Sequence, residues 1–204
     1  MKEIKIGNQI WMTENLNVEE FRNGDPIPHA QTLEEWKRLN KAGKPAWTYY
    51  DNDPKFGAKY GKLYNWNAVD DPRGLAPEGW HIPDQEEWEQ LSEFFHDLES
   101  DTIEESFSKL PGGYYYFNGN METLGAGFWW SSTECYPTTA WIYCLNDGGS
   151  EFTTFDDDKR NGFSVICLKG DPPENRVRRS QNVKSRNTSL LGLLFPMLFG
   201  AGNS

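Results

Sequence analysis

An α+β fold is predicted for this chain by three features: a tight N-terminal hairpin, two capped amphipathic helices, and a run of short strands after Gly112. The strands do not alternate with helices, so a parallel βαβ architecture is not expected. The elements follow in order.

Ile4-Lys5-Ile6 and Gln9-Ile10-Trp11-Met12 flank Gly7-Asn8, a pair suited to a two-residue turn between short strands. Asn23-Gly24-Asp25-Pro26 marks a second turn. Thr32-Leu33-Glu34-Glu35 has capping-box spacing, and Leu33, Trp36 and Leu39 follow at three-residue steps, which predicts a short helix. Residues 40–79 scatter Gly, Pro, Asn and Asp among Trp47, Tyr49, Tyr50, Tyr60, Tyr64 and Trp66, a pattern of long loops pinned by rings. A second helix opens at Pro83-Asp84-Gln85-Glu86-Glu87, where Asp84 caps and acidic residues meet the positive end of the dipole. Trp88, Leu91, Phe95 and Leu98 form its apolar stripe. Strands are then expected around 113–117, 127–131, 140–145, 151–155 and 162–168, making a C-terminal antiparallel sheet.

Composition narrows what such a fold can do. The chain has 204 residues, 15% of them aromatic, and all nine tryptophans precede residue 142, so the core must rest on large rings whose indole N–H groups want partners. Residues 1–169 carry 15 Lys/Arg against 29 Asp/Glu, a net −14, while residues 170–204 carry five against two, a net +3. So acidic a body repels phosphate backbones, and nucleic acid is not expected as a partner of the main domain. The three cysteines, Cys135, Cys144 and Cys167, lack metal-type spacing and read as small buried thiols, with a single disulfide as the other option.

The composition changes again after Gly170. The chain is read as a domain at 1–169 and, at 170–204, a linker (Asp171-Pro172-Pro173-Glu174-Asn175) followed by a basic and apolar tail. The tail joins a basic run, Arg176, Arg178, Arg179, Lys184 and Arg186, to an apolar run from Leu190 to Phe199 that is too short to span a bilayer. Residues 176–199 are therefore expected to serve as a docking peptide for an assembly, to touch a membrane surface, or to stay disordered. The N-terminus lacks the apolar region of a secretory leader.

Two aromatic segments bracket a polar stretch. Gly127-Phe128-Trp129-Trp130-Ser131-Ser132-Thr133-Glu134 and Asn161-Gly162-Phe163-Ser164-Val165-Ile166-Cys167 flank the 26 residues from Cys135 to Arg160. Apolar segments of this kind hold a core while the residues between them face outward, which is how a binding surface is carried on a rigid scaffold. The expected ligand-facing set is Trp141, Tyr143, Asn146, Asp147, Ser150, Glu151, Thr153, Phe155, Asp156, Asp157, Asp158 and Arg160, a mixture of aromatics, small polar groups and charges. Against it stands the plainer reading of a solvated sheet face. Trp129 and Trp130 are expected to alternate across a strand with one in the core, although a sugar-stacking ring is the other use of such a pair. Asp156-Asp157-Asp158 with Glu151 offers the hard oxygens Ca²⁺ takes, but adjacent residues on one turn supply ligands from one direction, and a solvated acidic turn is the stronger reading; no cofactor is expected. His81 is read as packed and structural, since no motif gives it an orienting partner, and His29 and His96 as surface residues.

Several motifs together resemble the Fibrobacter succinogenes major paralogous domain family. They are Ile6-Gly7-Asn8-Gln9-Ile10-Trp11-Met12-Thr13-Glu14-Asn15-Leu16, Tyr60-Gly61-Lys62-Leu63-Tyr64-Asn65-Trp66, Leu75-Ala76-Pro77-Glu78-Gly79-Trp80-His81-Ile82-Pro83, Leu110-Pro111-Gly112-Gly113-Tyr114, and both bracketing segments, over about residues 4–169. Ile166 stands where the family usually has a basic residue. The resemblance implies a C-type lectin-like fold, a group that includes sugar and protein binders, diversity-generating retroelement variable proteins and the formylglycine-generating enzyme. It places the C-terminal stretch where retroelement variable proteins carry their diversified positions. It lacks the Glu-Pro-Asn or Gln-Pro-Asp signature of calcium-dependent sugar-binding lectins. The formylglycine-generating chemistry needs a close cysteine pair with copper, whereas Cys135 and Cys144 are nine apart and Cys167 lies on another expected strand.

The expectation is therefore a non-enzymatic recognition module that displays residues 135–160 to a protein or glycan, at a cell surface, a phage or an extracellular particle. The alternatives are a structural decoration subunit docked by its tail and, more remotely, a formylglycine-generating-like oxidase.

Overall fold

The computed structural model describes residues 2–97, 106–107, 110, 112–122, 125–145 and 151–173, without the side chains of 95–97, 121 and 122. The chain separates into two units, Met1–Asp171 and Pro172–Ser204, and only Pro172 and Pro173 of the second are described, so the basic and apolar runs of the tail lie outside the described residues.

Strands β1 (Glu3–Ile6) and β2 (Gln9–Met12) form the expected antiparallel hairpin, with Ile4 opposite Trp11. The turn needs Gly7: its φ is +58°, and a Cβ there would lie 2.2 Å from the Phe94 ring. Helix α1 (Leu33–Lys41) starts where Thr32 Oγ1 accepts from the Glu35 N–H, and the Glu35 carboxylate accepts in return from the Gln31 N–H. Trp36 and Leu39 face the core while charged residues face water.

The ring-pinned region contains more regular structure than its composition suggests. Two-residue strands β3 (Trp47–Thr48) and β4 (Leu63–Tyr64) pair antiparallel, and helices α2 (Pro54–Tyr60) and α3 (Trp66–Val69) flank β4. Asp53 caps α2 ahead of a first-turn proline, and Asn65 caps α3. A short β5 (Trp80–His81) precedes α4 (Gln85–Asp97). In α4 the Glu87 N–H donates to Asp84, the cap the sequence predicts, and the Asp84 N–H donates in return to Glu87. Trp88 and Leu91 are fully buried; the side chain of Phe95, and Leu98, lie outside the described residues.

The C-terminal half is antiparallel sheet, as expected: β6 (Tyr114–Tyr115) with β7 (Met121–Glu122), then β8 (Gly127–Tyr136), β9 (Thr139–Leu145) and β10 (Thr153–Asp158) in the order β10-β9-β8. The segment read as a strand over 162–168 is different. It bridges briefly to Tyr115, Tyr64 and Trp129 in turn, then ends in β11 (Leu168–Lys169), which sits between β2 and β5 in the sheet β1-β2-β11-β5. One continuous partner is impossible because three short elements converge on the segment.

These sheets and helices close around an aromatic core. Trp88 lies 5.0 Å from Trp11 and stacks 4.7 Å from Tyr143, and Trp130 meets Phe163 edge-on at 4.7 Å. Each such ring removed from water contributes about 1.5–3 kcal/mol. Several indole N–H groups find acceptors, Trp129 at Asn15 Oδ1, Trp130 at the Tyr64 carbonyl, Trp36 at the Arg160 carbonyl and Trp66 at the Ser131 carbonyl, whereas the buried Trp88 Nε1 has none among the described residues. Among the described residues the fold is thus mixed α and β, with α+β element order and no helix long and apolar enough to cross a membrane.

Candidate recognition surface

The two bracketing segments are scaffold. From Asn161 to Leu168 every residue is buried, and the backbone is tied on several sides. Gly162 exchanges both bonds with Tyr115, Phe163 exchanges both with Tyr64, Ser164 joins Phe128 and Trp130, and the Val165 and Cys167 carbonyls accept from Leu16 and Met12. Trp129 and Trp130 do alternate across β8, but both are fully buried rather than one. The reason is that each face of β8 is covered: α4 and Asn15 meet Trp129, and Phe163 and Tyr64 meet Trp130.

Register assigns the residues between them to two faces. Tyr143 lies opposite Trp129 and Thr154, Trp141 opposite Asp156, and Thr139 opposite Tyr136 and Asp158, so these share one face. Ile142 lies opposite Trp130 and Phe155, and Ala140 opposite Glu134 and Asp157, on the other. Helix α4 packs on the Tyr143 end of the first face: the Tyr143 hydroxyl donates to the Gln85 carbonyl and its ring stacks on Trp88. Tyr143 is only 2% exposed, so its place in the expected ligand-facing set is corrected; it is a core residue. Burial pushes its phenol well above the usual tyrosine range. Trp141, two residues earlier on the same face, is half-buried.

Other members of the set are scattered around the edge strand. Glu151, Thr153, Phe155, Asp156 and Arg160 are exposed and Asp157 and Asp158 half-buried, whereas Asn146, Asp147 and Ser150 lie outside the described residues. Tyr136, absent from the set, is the most exposed large ring among the described residues at 63%, ahead of Phe155 at 39%. Its position just before Pro137, at the tip of the β8–β9 hairpin, was the signal that marks it.

The acidic triplet is not three equivalent carboxylates. Asp158 takes a two-pronged bond from Arg160, Nε to Oδ1 at 2.9 Å and Nη2 to Oδ2 at 2.6 Å, while the guanidinium lies 4.1 Å over the Phe117 ring. Burial pushes the Asp158 carboxyl up, but the bonds from Arg160 outweigh it and hold the pKa below the ordinary value. Asp157 accepts from the Asp158 N–H and from Asn161 Nδ2. There burial prevails, joined by repulsion from the neighbouring aspartates, and the pKa is raised. Asp156 points into solvent opposite Trp141 with no hydrogen bond or ion pair among the described residues. No group of three or more His, Cys, Asp or Glu side chains suited to a metal ion occurs among the described residues.

The histidines and cysteines divide between core and rim. His81 is 5% exposed, with Nε2 2.8 Å from Glu87 Oε1 and Nδ1 2.9 Å from the Gly170 carbonyl, so a packed, hydrogen-bonded position holds it. His29, read as a surface residue, is half-buried and stacked on Trp47 at 3.7 Å, which burial reflects in a lowered pKa. The His96 side chain lies outside the described residues. All three cysteines are free thiols; burial raises Cys144 to about 11 and Cys167 to about 12, and Cys135 is half-buried at the hairpin tip.

A ring-built α+β scaffold, tied at its centre by one buried C-terminal segment and opening a small aromatic and acidic surface at one sheet, is what the geometry defines. The chain belongs to the Fibrobacter succinogenes major domain family, whose model matches residues 4–108, from the first strand past α4. The match ends before both bracketing segments, short of the 4–169 that the motifs suggest. No curated protein and no solved structure matches the chain.

Proposed function

We propose that this protein is a non-enzymatic recognition module that presents part of residues 135–160 to a protein or glycan ligand. The observation that carries the reading is the contrast between the buried segments on either side and the side chains left outward between them. Tyr136, Trp141 and Asp156 share one face, with Tyr136 and Asp156 exposed and Trp141 half-buried. Aromatic rings beside a carboxylate suit a ligand with an apolar face and polar or cationic groups, whether a sugar ring or a side chain. The net charge of −14 over residues 1–169 favours neutral or basic ligands over anionic ones.

The scaffold we assign to this module is C-type lectin-like. The pairing of the N-terminal hairpin with the C-terminal β11 in one sheet supports that assignment, as do the long loops between them. On this reading the outward positions tolerate substitution while the flanking segments do not, which suits a diversified surface. Such a module works at a cell surface, a phage or an extracellular particle.

The test is a binding screen of the full chain on glycan and protein arrays, repeated with Trp141→Ala plus Tyr136→Ala. The double variant should stay folded and lose the ligand that the parent retains. Undiminished binding by that variant would place the surface elsewhere.

A further inference from the structure

Among the described residues the sheet β10-β9-β8 ends at β10, and the hydrogen bonds around it fix which way its backbone faces. The Phe128 carbonyl and the Trp130 N–H are taken by Ser164, so Trp129 and Tyr143 exchange the ladder bonds between β8 and β9. Ile142 and Cys144 then turn their N–H and C=O toward β10, where they meet Phe155 and Thr153. The Lys159 N–H, bonded to the Thr138 carbonyl, gives the same phase from the other end. Thr154 and Asp156 are consequently the residues whose main-chain N–H and C=O point away from the sheet. Neither has a main-chain partner on that side among the described residues. The next outward N–H, of Asp158, is already closed by Asp157 Oδ1 at 2.7 Å.

We propose that this edge captures an extended basic peptide as an added strand. The inference rests on the reading of residues 135–160 as a recognition surface and names the partner chemistry for one part of it. Main-chain bonds to Thr154 and Asp156 supply the attachment. Side-chain preference follows from the faces: a residue opposite Asp156 meets a solvent-facing carboxylate and should be Lys or Arg. Its neighbour opposite Phe155 meets an exposed ring on the other face and should be apolar. A second copy of the chain is a poor occupant, because pairing two β10 edges brings like carboxylates together.

The probe is a blocked Lys-Val-Lys-Val-Lys peptide added to the full chain, with amide hydrogen exchange as the readout. The Thr154 and Asp156 amides should become protected. N-methylation of the lysine amides, which keeps every charge, should abolish binding, while N-methylation of the valine amides should leave it within about twofold. Asp156→Asn should weaken binding about twofold to fivefold, and Thr154→Pro, which removes one outward donor, roughly threefold to tenfold. Equal binding by the two N-methylated peptides would reduce the contact to charge alone and overturn the proposal. So would the absence of binding up to about 1 mM peptide, or protection that spares Thr154 and Asp156. The Trp141→Ala plus Tyr136→Ala variant should still take the peptide, so failure of the edge and failure of the broader surface are separable.

Discussion

Asn15 and Trp129 meet in the core, the indole N–H donating to Asn15 Oδ1 at 2.8 Å. The same amide donates to the Tyr60 and Leu110 carbonyls at 2.8 and 2.9 Å, so one side chain joins the segment after the hairpin to three others. Asn15→Asp keeps the acceptor but turns both donors into a carboxylate facing carbonyl oxygens. Each buried polar group left unpaired costs about 1–3 kcal/mol, so Asn15→Asp and Asn15→Ala should both destabilise by about 3 kcal/mol or more. Urea melts should show an unchanged m-value with a lower midpoint. A near-neutral Asn15→Asp would mean the amide does not hold these segments.

Tyr136 and Tyr143 are a matched pair for separating surface from core. Tyr136→Ala, at an exposed tip, should change stability by about 0.5 kcal/mol or less. Tyr143→Ala empties a site between Trp88 and Trp129 and should cost about 3–5 kcal/mol. Thermal melts of the two variants would decide between them.

Lys62 is a buried cation: its ammonium bonds to the Asn17 carbonyl and Oδ1, lies 3.3 Å from Glu19, and sits 4.5 Å over the Trp47 ring. Burial lowers its pKa despite the Glu19 contact. The unfolded chain therefore binds the proton more tightly, and stability should rise as pH climbs toward the ordinary lysine value of about 10.4. Lys62→Met should remove that alkaline rise, and Lys62→Glu, which sets a carboxylate beside Glu19, should destabilise by about 3–5 kcal/mol. Melting curves between neutral and alkaline pH provide the check.

Adjacent aspartates should respond to pH in opposite directions. The lowered pKa of Asp158 adds stability above the ordinary aspartate value of about 3.9, lost as pH falls through the lowered one. Asp157, with its pKa raised, favours the fold below that ordinary value and loses the contribution as pH rises through the raised one. Asp158→Asn should thus lower the melting temperature at neutral pH, by an amount that shrinks in acid, for a cost of about 1 kcal/mol. Asp157→Asn, whose Oδ1 can still accept both bonds, should raise it. The reverse order of the two variants at neutral pH would contradict these environments.

Local chemistry made some elements readable. Gly7-Asn8 between apolar strands and the caps at Thr32 and Asp84 specify their elements without distant help. Helices α2 and α3 carry caps too, at Asp53 and Asn65, but seven and four residues are too few for a periodic stripe to show. Tyr143 was misplaced because Trp141 and Tyr143 have the same strand parity, and parity does not say how far α4 extends along the face. Segment 162–168 was apolar enough to read as one strand, but which partners it bridges is decided by residues far away in sequence. The outward residues of the candidate site were legible as a polar stretch; the phase that turns Thr154 and Asp156 outward depends on Ser164 and needed the structure.

The insertion of β11 between β2 and β5 sets an order on folding. Leu168 pairs with both Trp11 and His81, so the first-made hairpin waits for nearly the last residue of the domain before its sheet is complete. A nascent chain halted after residue 108 would contain the whole family-matched region yet leave Trp11, Trp88 and Tyr64 without the segments that cover them. Synthesis therefore holds many large rings in water until the C-terminal segment threads through, and the chain is most prone to aggregate in that interval.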